Sequence, residues 1–454
     1  MEPLKAVAAT GQLGTGFKRE TLDTAADGAR MIGCDAGSTD PGPYYLGAGK
    51  TQAADAAVGR DLELIIEKAL EKNIPALIGS AGTGGGTVHL NRTVDIVRAI
   101  AARRNWNFEL ATIDSEVAPQ TVAAAYRARR LRPLAGAPEL SENRILGASR
   151  LVAMQGVEPF QHALKQGAQV VIAGRTSDVS IYAALPLMEG IPPEVAYHAG
   201  KILECGAAAV EERSHPDCMT AYLSPDEFVM DPPNPNMRCT PQSVAAHGMY
   251  ENADPFYHVE PGGTLDIASA EYSPAGDRSV QVRPGVFTPA DQLTLRLEGA
   301  ELAGYRTAVV AGIRDPLVVR QIDDFLASTT KVIKGKVRES LGFEAEQYSF
   351  NWRVYGQNGS MGELEPDPRV LGQEVGLVLD IVAPEQAAAA AIASVAWHTA
   401  LHHPVPQYSG LVSNLAFPFS PPSLDAGPVY RFCINHVIEV DDALELAKIE
   451  FETL

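Results

Sequence analysis

Ala76-Leu-Ile-Gly-Ser-Ala-Gly-Thr-Gly-Gly-Gly-Thr87 is the stretch on which the reading of the fold turns. A short apolar run stops at a serine and passes through glycine-rich chain too permissive to hold a helix or a strand. It then gives way to an amphipathic helical pattern over residues 93–104, the strand, loop, helix succession of a βαβ unit. The succession recurs on both sides. Residues 4–9, 31–34, 108–113 and 170–173 read as strands, and residues 18–30, 60–72, 119–130 and the stretch from about 179 read as helices. In the second of these, Leu62, Ile65, Ile66 and Leu70 share one face. Short strands alternating with helices predict an α/β fold over residues 1–215, with a doubly wound, mostly parallel sheet.

Further along, the texture changes. Residues 216–300 carry Asp231-Pro-Pro-Asn-Pro-Asn and Pro261-Gly-Gly, through which no helix runs, so a β-rich connector is expected, with a hairpin about Ser273-Pro-Ala-Gly-Asp277. Residues 301–454 read β-α-β-β-α-β, which predicts a C-terminal ferredoxin-like α+β unit.

Composition narrows the function classes. The 454 residues are 46% hydrophobic, and the 40 glycines and 32 prolines follow no G-X-Y period, which excludes fibrous and disordered chains. With 37 basic against 56 acidic residues the formal charge is -19, a field that repels nucleic acid and anionic membrane surfaces. The 5 cysteines are widely spaced without a C-x-x-C, which argues against a disulfide framework or zinc finger. The N-terminus shows no basic and apolar leader, and no run of 18 apolar residues occurs; a cytoplasmic protein is expected.

Ligands of open parallel sheets sit beyond the carboxyl ends of the strands. There the sequence places Asp35, Ser38 and Asp40 after the second strand, Ser80, Gly82, Thr83 and Gly84 after the third, Asp114 and Glu116 after the fourth, and Arg175, Thr176 and Asp178 after a later one. Turns and caps account for some of these groups, but not for an arginine, several hydroxyls and several acids along one edge. Ser80, Thr83 and the backbone of residues 82–86 read as a nest for a carboxylate or phosphate oxygen, and Arg175 as a bidentate clamp. Lys50 is a further candidate cation. Asp35, Asp40, Asp114 and Glu116 read as acid–base groups or as ligands of a divalent metal.

Several motifs fall short. Gly47-Ala-Gly-Lys-Thr51 ends like a phosphate-binding loop but has Tyr44 where glycine is required, and Gly11, Gly14 and Gly16 have the wrong spacing for a dinucleotide fingerprint. Neither ATP nor a nicotinamide cofactor is expected. Ser80 lacks the glycine at Ile78 that a nucleophile elbow needs. His398 and His402 are four apart without the H-E-x-x-H glutamate. Cys205, in Glu204-Cys205-Gly206, reads as a structural cysteine.

The runs Gly174-Arg-Thr-Ser-Asp-Val-Ser, Leu203-Glu-Cys-Gly-Ala and Gly312-Ile-Arg-Asp-Pro, with the glycine-rich strand end at residues 11–17, resemble the acyclic terpene utilisation AtuA family over most of residues 4–400. The resemblance implies an α/β protein of the catabolism of acids and acyl-CoA thioesters, with a small companion protein as a possible partner, and brings no catalytic assignment.

Taken together, the expectation is a lyase of the hydratase or dehydratase type. It would act on a small carboxylic acid or acyl-CoA thioester by carboxylate acid–base chemistry, with an anion clamp. A hydrolase of an ester, lactone or amide and a non-catalytic acyl- or nucleotide-binding scaffold are the alternatives. A homo-oligomer is expected, with a small anionic substrate and with neither nucleic acid nor membrane as partner.

Overall fold

The computed structural model describes residues 2–367, 369, 372–407 and 413–454, in two units: residues 1–301 with 432–454, and residues 302–431. In the first unit the strands are β1 (Leu4–Ala8), β2 (Met31–Asp35), β3 (Ala76–Gly79), β4 (Glu109–Asp114), β5 (Leu131–Pro133), β6 (Arg150–Met154) and β7 (Val170–Ala173). They are followed by β8 (Met219–Leu223), β9 (Phe228–Asp231), β10 (Tyr257–Glu260), β11 (Gly263–Asp266), β12 (Glu271–Pro274), β13 (Val280–Arg283) and β14 (Val286–Pro289). β15 (Thr294–Ile313) leads into the second unit, which holds β16 (Ser349–Tyr355) and β17 (Val375–Ala383). β18 (Ser423–Glu439) leads back, and β19 (Lys448–Thr453) closes the chain.

The fold is mixed α/β. A 10-stranded sheet runs β12-β13-β9-β8-β1-β2-β3-β7-β4-β19. β1, β2, β3, β7 and β4 are parallel, and β8, β9, β13, β12 and β19 extend them antiparallel. The central strands are apolar without alternation because both faces are covered. Ile32, Ala76 and Ile78 pack in one core with helices Arg19–Ala26, Asp55–Lys72 and Thr87–Arg104. Met31 and Leu77 point into the other, against helices Asp178–Met188 and Pro193–Leu203, as the period of 2 along a strand requires. Gly33 of β2 is bare because a Cβ there would sit 2.5 Å from the Tyr182 ring.

Residues 216–300 are thus not a separate connector. β8 and β9 pair onto β1, and the expected hairpin β12–β13 adds to β9, because the antiparallel edge of a parallel sheet accepts short strands without crossover helices. Nor do residues 301–454 form one domain. β19 returns to cover β4, with Lys448 opposite Asp114, an edge that would otherwise expose unpaired backbone. A smaller sheet runs β10-β11-β14. The start of β15 pairs with β6, Arg296 opposite Met154, and the end of β18 with β5, around a core of Leu151, Leu297, Ile434 and Ile438.

In the second unit the remainder of β15 pairs antiparallel with β17, and β17 with β16. β17 alternates buried and half-buried residues, so one face is covered. Leu379 and Ile381 pack there with Ile333 and Val337 of helix Ile322–Leu341 and Ile392 of helix Gln386–Leu401. Among the described residues no helix is long and apolar enough to cross a membrane.

The loop after β3 is held by backbone-to-backbone packing. Gly85, at φ +65, has its Cβ position 2.4 Å from the Arg175 nitrogen, so no side chain fits and the conformation favours glycine. Gly85→Ala is expected to lower stability by about 2–4 kcal/mol, read as a lower denaturant midpoint with an unchanged slope.

Candidate functional site

The strand-end groups divide into two sets. In the first, Arg175 follows β7 and is 4% exposed; its Nε donates to Glu298 Oε2 at 2.8 Å. Its Nη1 donates to Ser80 Oγ at 3.1 Å and to the Thr176 carbonyl at 2.9 Å, and lies 3.4 Å from Asp178. Glu298, on β15 and 2% exposed, also accepts from Thr39 at 2.9 Å. Burial opposes the charge on Arg175, but Glu298 and Asp178 outweigh it and hold the guanidinium above its usual value. Burial would likewise raise Glu298, and Arg175 brings it below the usual carboxylate range.

Around this pair lie carboxyls that burial drives toward the neutral form. Asp35, at the end of β2, is raised well above its usual value by burial and by Asp178; its Oδ2 accepts from the Gly37 N–H at 3.0 Å, and its buried Oδ1 has no partner among the described residues. Asp178 rises to about 6 through burial, with Asp40 adding and Arg175 opposing. Its side chain keeps 30% of its surface exposed. Glu204 rises to about 8 through burial, opposed by Lys201, whose Nζ donates to it at 2.6 Å. Glu260, at the end of β10, rises to about 7 through burial and accepts from the Ser177 hydroxyl. Burial opposes the charge on Lys201, and its contact with Glu204, with Cys205 and Glu260 adding, brings it above its usual value.

No sequence signal marks Glu260 or Glu298, which lie on strands within residues 216–300, expected to be a connector. Glu204 lies in the Leu203-Glu-Cys-Gly run and Lys201 two residues before it, next to Cys205, a half-buried thiol that burial pushes up and away from reactivity. Thr176 and Ser177 follow Arg175 directly; the buried Thr176 hydroxyl has no partner among the described residues. Ser38 donates to Asp40 at 2.7 Å at the exposed rim.

The second set serves local structure. Glu116 caps the helix Thr87–Arg104 by accepting from the Thr87 N–H at 2.7 Å, and Asp114 accepts from the Thr87 hydroxyl at 2.8 Å and the Glu116 N–H at 3.0 Å. Glu116 faces a different, open cleft of about 750 Å³ with Arg150 and Arg92. The glycine loop is no open anion nest. The N–H groups of Thr83, Gly84 and Gly85 go to the carbonyls of Ala36, Gly82 and Ala81, and that of Gly86 goes to His89 Nδ1 at 3.2 Å. Ser80 is fully buried at φ +49. Lys50 is exposed, and its carbonyl accepts from His89.

The loop after β1 is also filled from within: Asp61 Oδ2 accepts from Gly14 at 2.8 Å and from Gly16 at 3.1 Å, where a phosphate would otherwise sit. In the second unit His398 and His402 have ring centroids 5.8 Å apart. Among the described residues no three His, Cys, Asp or Glu side chains converge to hold a metal ion.

Residues 50–212 match the family described as acyclic terpene utilisation family protein AtuA. The match takes in Arg175, Asp178, Lys201 and Glu204 and leaves out Asp35, Glu260, Glu298 and the Gly312-Ile-Arg-Asp-Pro run. No curated protein and no solved structure gives a match.

Because the guanidinium of Arg175 is committed to Glu298, its removal acts on stability. Arg175→Met is expected to cost about 3–5 kcal/mol by stranding a buried carboxylate, and Arg175→Met with Glu298→Leu to recover much of that, measured by chemical denaturation. The raised carboxyls give a second expectation. A carboxyl whose folded value exceeds its unfolded one contributes stability that is complete below the unfolded value and lost as pH rises through the folded one. For Glu204 and Glu260 that window runs from 4.5 to about 8 and about 7. The melting temperature should fall across it, and fall less in Glu260→Gln.

Proposed function

We propose that this AtuA-family protein is a lyase that adds or removes water at a small carboxylic acid, using the carboxyl cluster of Asp178, Glu204 and Glu260. The observation that carries the reading is that Lys201 donates to Glu204 at 2.6 Å and acts through its charge on Asp178 and Glu260, while burial raises these carboxyls unequally, Asp178 to about 6 and Glu204 to about 8. Separated affinities divide a pair of carboxyls into a base and an acid.

In the dehydration direction Asp178, ionised and open to solvent, takes the proton from the carbon beside the substrate carboxylate. The electron pair left behind forms the double bond as the carbon–oxygen bond breaks. Glu204, protonated, gives its proton to the departing hydroxyl, which leaves as water. Lys201 lies where negative charge builds toward the carboxylate. Hydration is the reverse. No redox cofactor enters the balance. The hydrolase reading has less support, since Ser80 is fully buried and its Oγ is taken up by Arg175 and Thr176.

Finer aspects of architecture and assembly belong to the same proposal. Helices on both faces of the parallel strands support a doubly wound sheet. The order β16-β17-β15-β18 supports a ferredoxin-like reading of the second unit. A cytoplasmic homo-oligomer, with a small companion protein, completes it, and light scattering giving a monomer would remove the self-association.

The test is a panel of small hydroxy and unsaturated acids followed by ultraviolet absorbance of the conjugated product. Turnover should fall below a pH of about 6, where Asp178 takes up its proton, and above about 8, where Glu204 loses its own. Asp178→Asn should lower kcat by about 100-fold or more and abolish the acid limb. Full activity in Asp178→Asn and Glu204→Gln would overturn the assignment.

A further inference from the structure

Glu260 has a second environment. One side belongs to the carboxyl cluster, where Ser177 donates to its Oε2 and Lys201 and Asp178 act on its charge. The other side is in the wall of a cavity of about 340 Å³ beside β10 and the start of β15. Met154, Tyr257 and Val259 supply apolar surface there, and Glu251 and Arg296 supply charge. Tyr257 and Val259 are exposed by 51% and 79%, large apolar groups left open at a pocket mouth. Arg296 is 43% exposed; its Nε reaches Asn435 Oδ1 at 3.3 Å and Glu298 Oε1 at 3.4 Å.

The charges in this cavity are mixed. A plain carboxylate would find Arg296 but would also face Glu251 and Glu260, and a plain amine would find the carboxylates but face Arg296. A group of both signs satisfies all three, with an apolar body against Met154, Tyr257 and Val259. The volume lies at the lower end of ligand sites, roughly 300–1,000 Å³, the scale of one amino acid rather than of a coenzyme thioester. We infer that this cavity, next to the carboxyl cluster but apart from its proposed lyase reaction, binds a free amino acid with an apolar side chain, its carboxylate on Arg296 and its ammonium between Glu260 and Glu251. The inference stands apart from the proposed lyase reaction, since such an amino acid carries no hydroxyl to lose as water, and it makes Arg296 the carboxylate anchor of this cavity.

Calorimetric titration of the full chain at neutral pH with L-norleucine, hexanoate and hexylamine tests it. Norleucine should bind saturably, with each single-charge probe weaker by about tenfold or more. Arg296→Met should weaken norleucine about tenfold and spare hexylamine, while Glu260→Gln should weaken norleucine and hexylamine and spare hexanoate. Hexanoate binding as tightly as norleucine, no saturable binding by any probe, or norleucine affinity unchanged in both variants would each overturn the inference. If Glu260→Gln fails to fold, the three probes on the unaltered protein with Arg296→Met decide. Asp178→Asn should still bind norleucine. Expected binding with no lyase turnover would therefore remove the catalytic reading and keep the pocket, and turnover with no norleucine binding would do the opposite.

Discussion

The buried pair Arg175–Glu298, 2.8 Å apart with both side chains almost wholly shielded from water, is the contact about which the carboxyl cluster is arranged. A guanidinium removed from solvent must have its donors occupied and its charge matched. Meeting that demand brings together the end of β7, the end of β3 through Ser80, and β15 through Glu298. Thr39, from the loop after β2, completes the acceptor side. One charge thereby registers segments that are far apart in the chain, and the glycine loop must pass close enough to Arg175 that Gly85 can carry no side chain.

The same shielding raises the neighbouring carboxyls. With Arg175 largely neutralised by Glu298, the nearby Asp35, Asp178, Glu204 and Glu260 meet low polarity with only partial compensation, and burial is the leading cause of the rise in each. Lys201 tempers the effect most at Glu204, and partial exposure makes Asp178 the member open to solvent. In the proposed reading, the ion pair beside these carboxyls fixes geometry without itself exchanging protons.

Nests and clamps that the sequence suggests are closed in the structure by the protein's own groups. Asp61 occupies the amides of Gly14 and Gly16, Glu116 occupies the amide that opens the helix Thr87–Arg104, and main-chain carbonyls occupy the loop after β3. In each case the residue types needed to bind an outside anion also suit an inside one, and only the folded chain separates the two.

The sequence by itself determined the α/β class, the order of the central parallel strands along the chain and the edge of the sheet where polar groups gather. Apolar periodicity and glycine placement are local properties, and Asp35, Ser80, Arg175 and Asp178 do lie together at that edge. It could not reveal which of those groups are spent on one another. That depends on Glu298 and Glu260, brought from strands late in the chain, on β19 returning to cover β4, and on β8, β9, β12 and β13 joining the main sheet. Pairing across more than a hundred residues leaves no periodic mark in the chain. Burial, which turns an ordinary glutamate into an acid near neutrality, is a property of the packed interior alone.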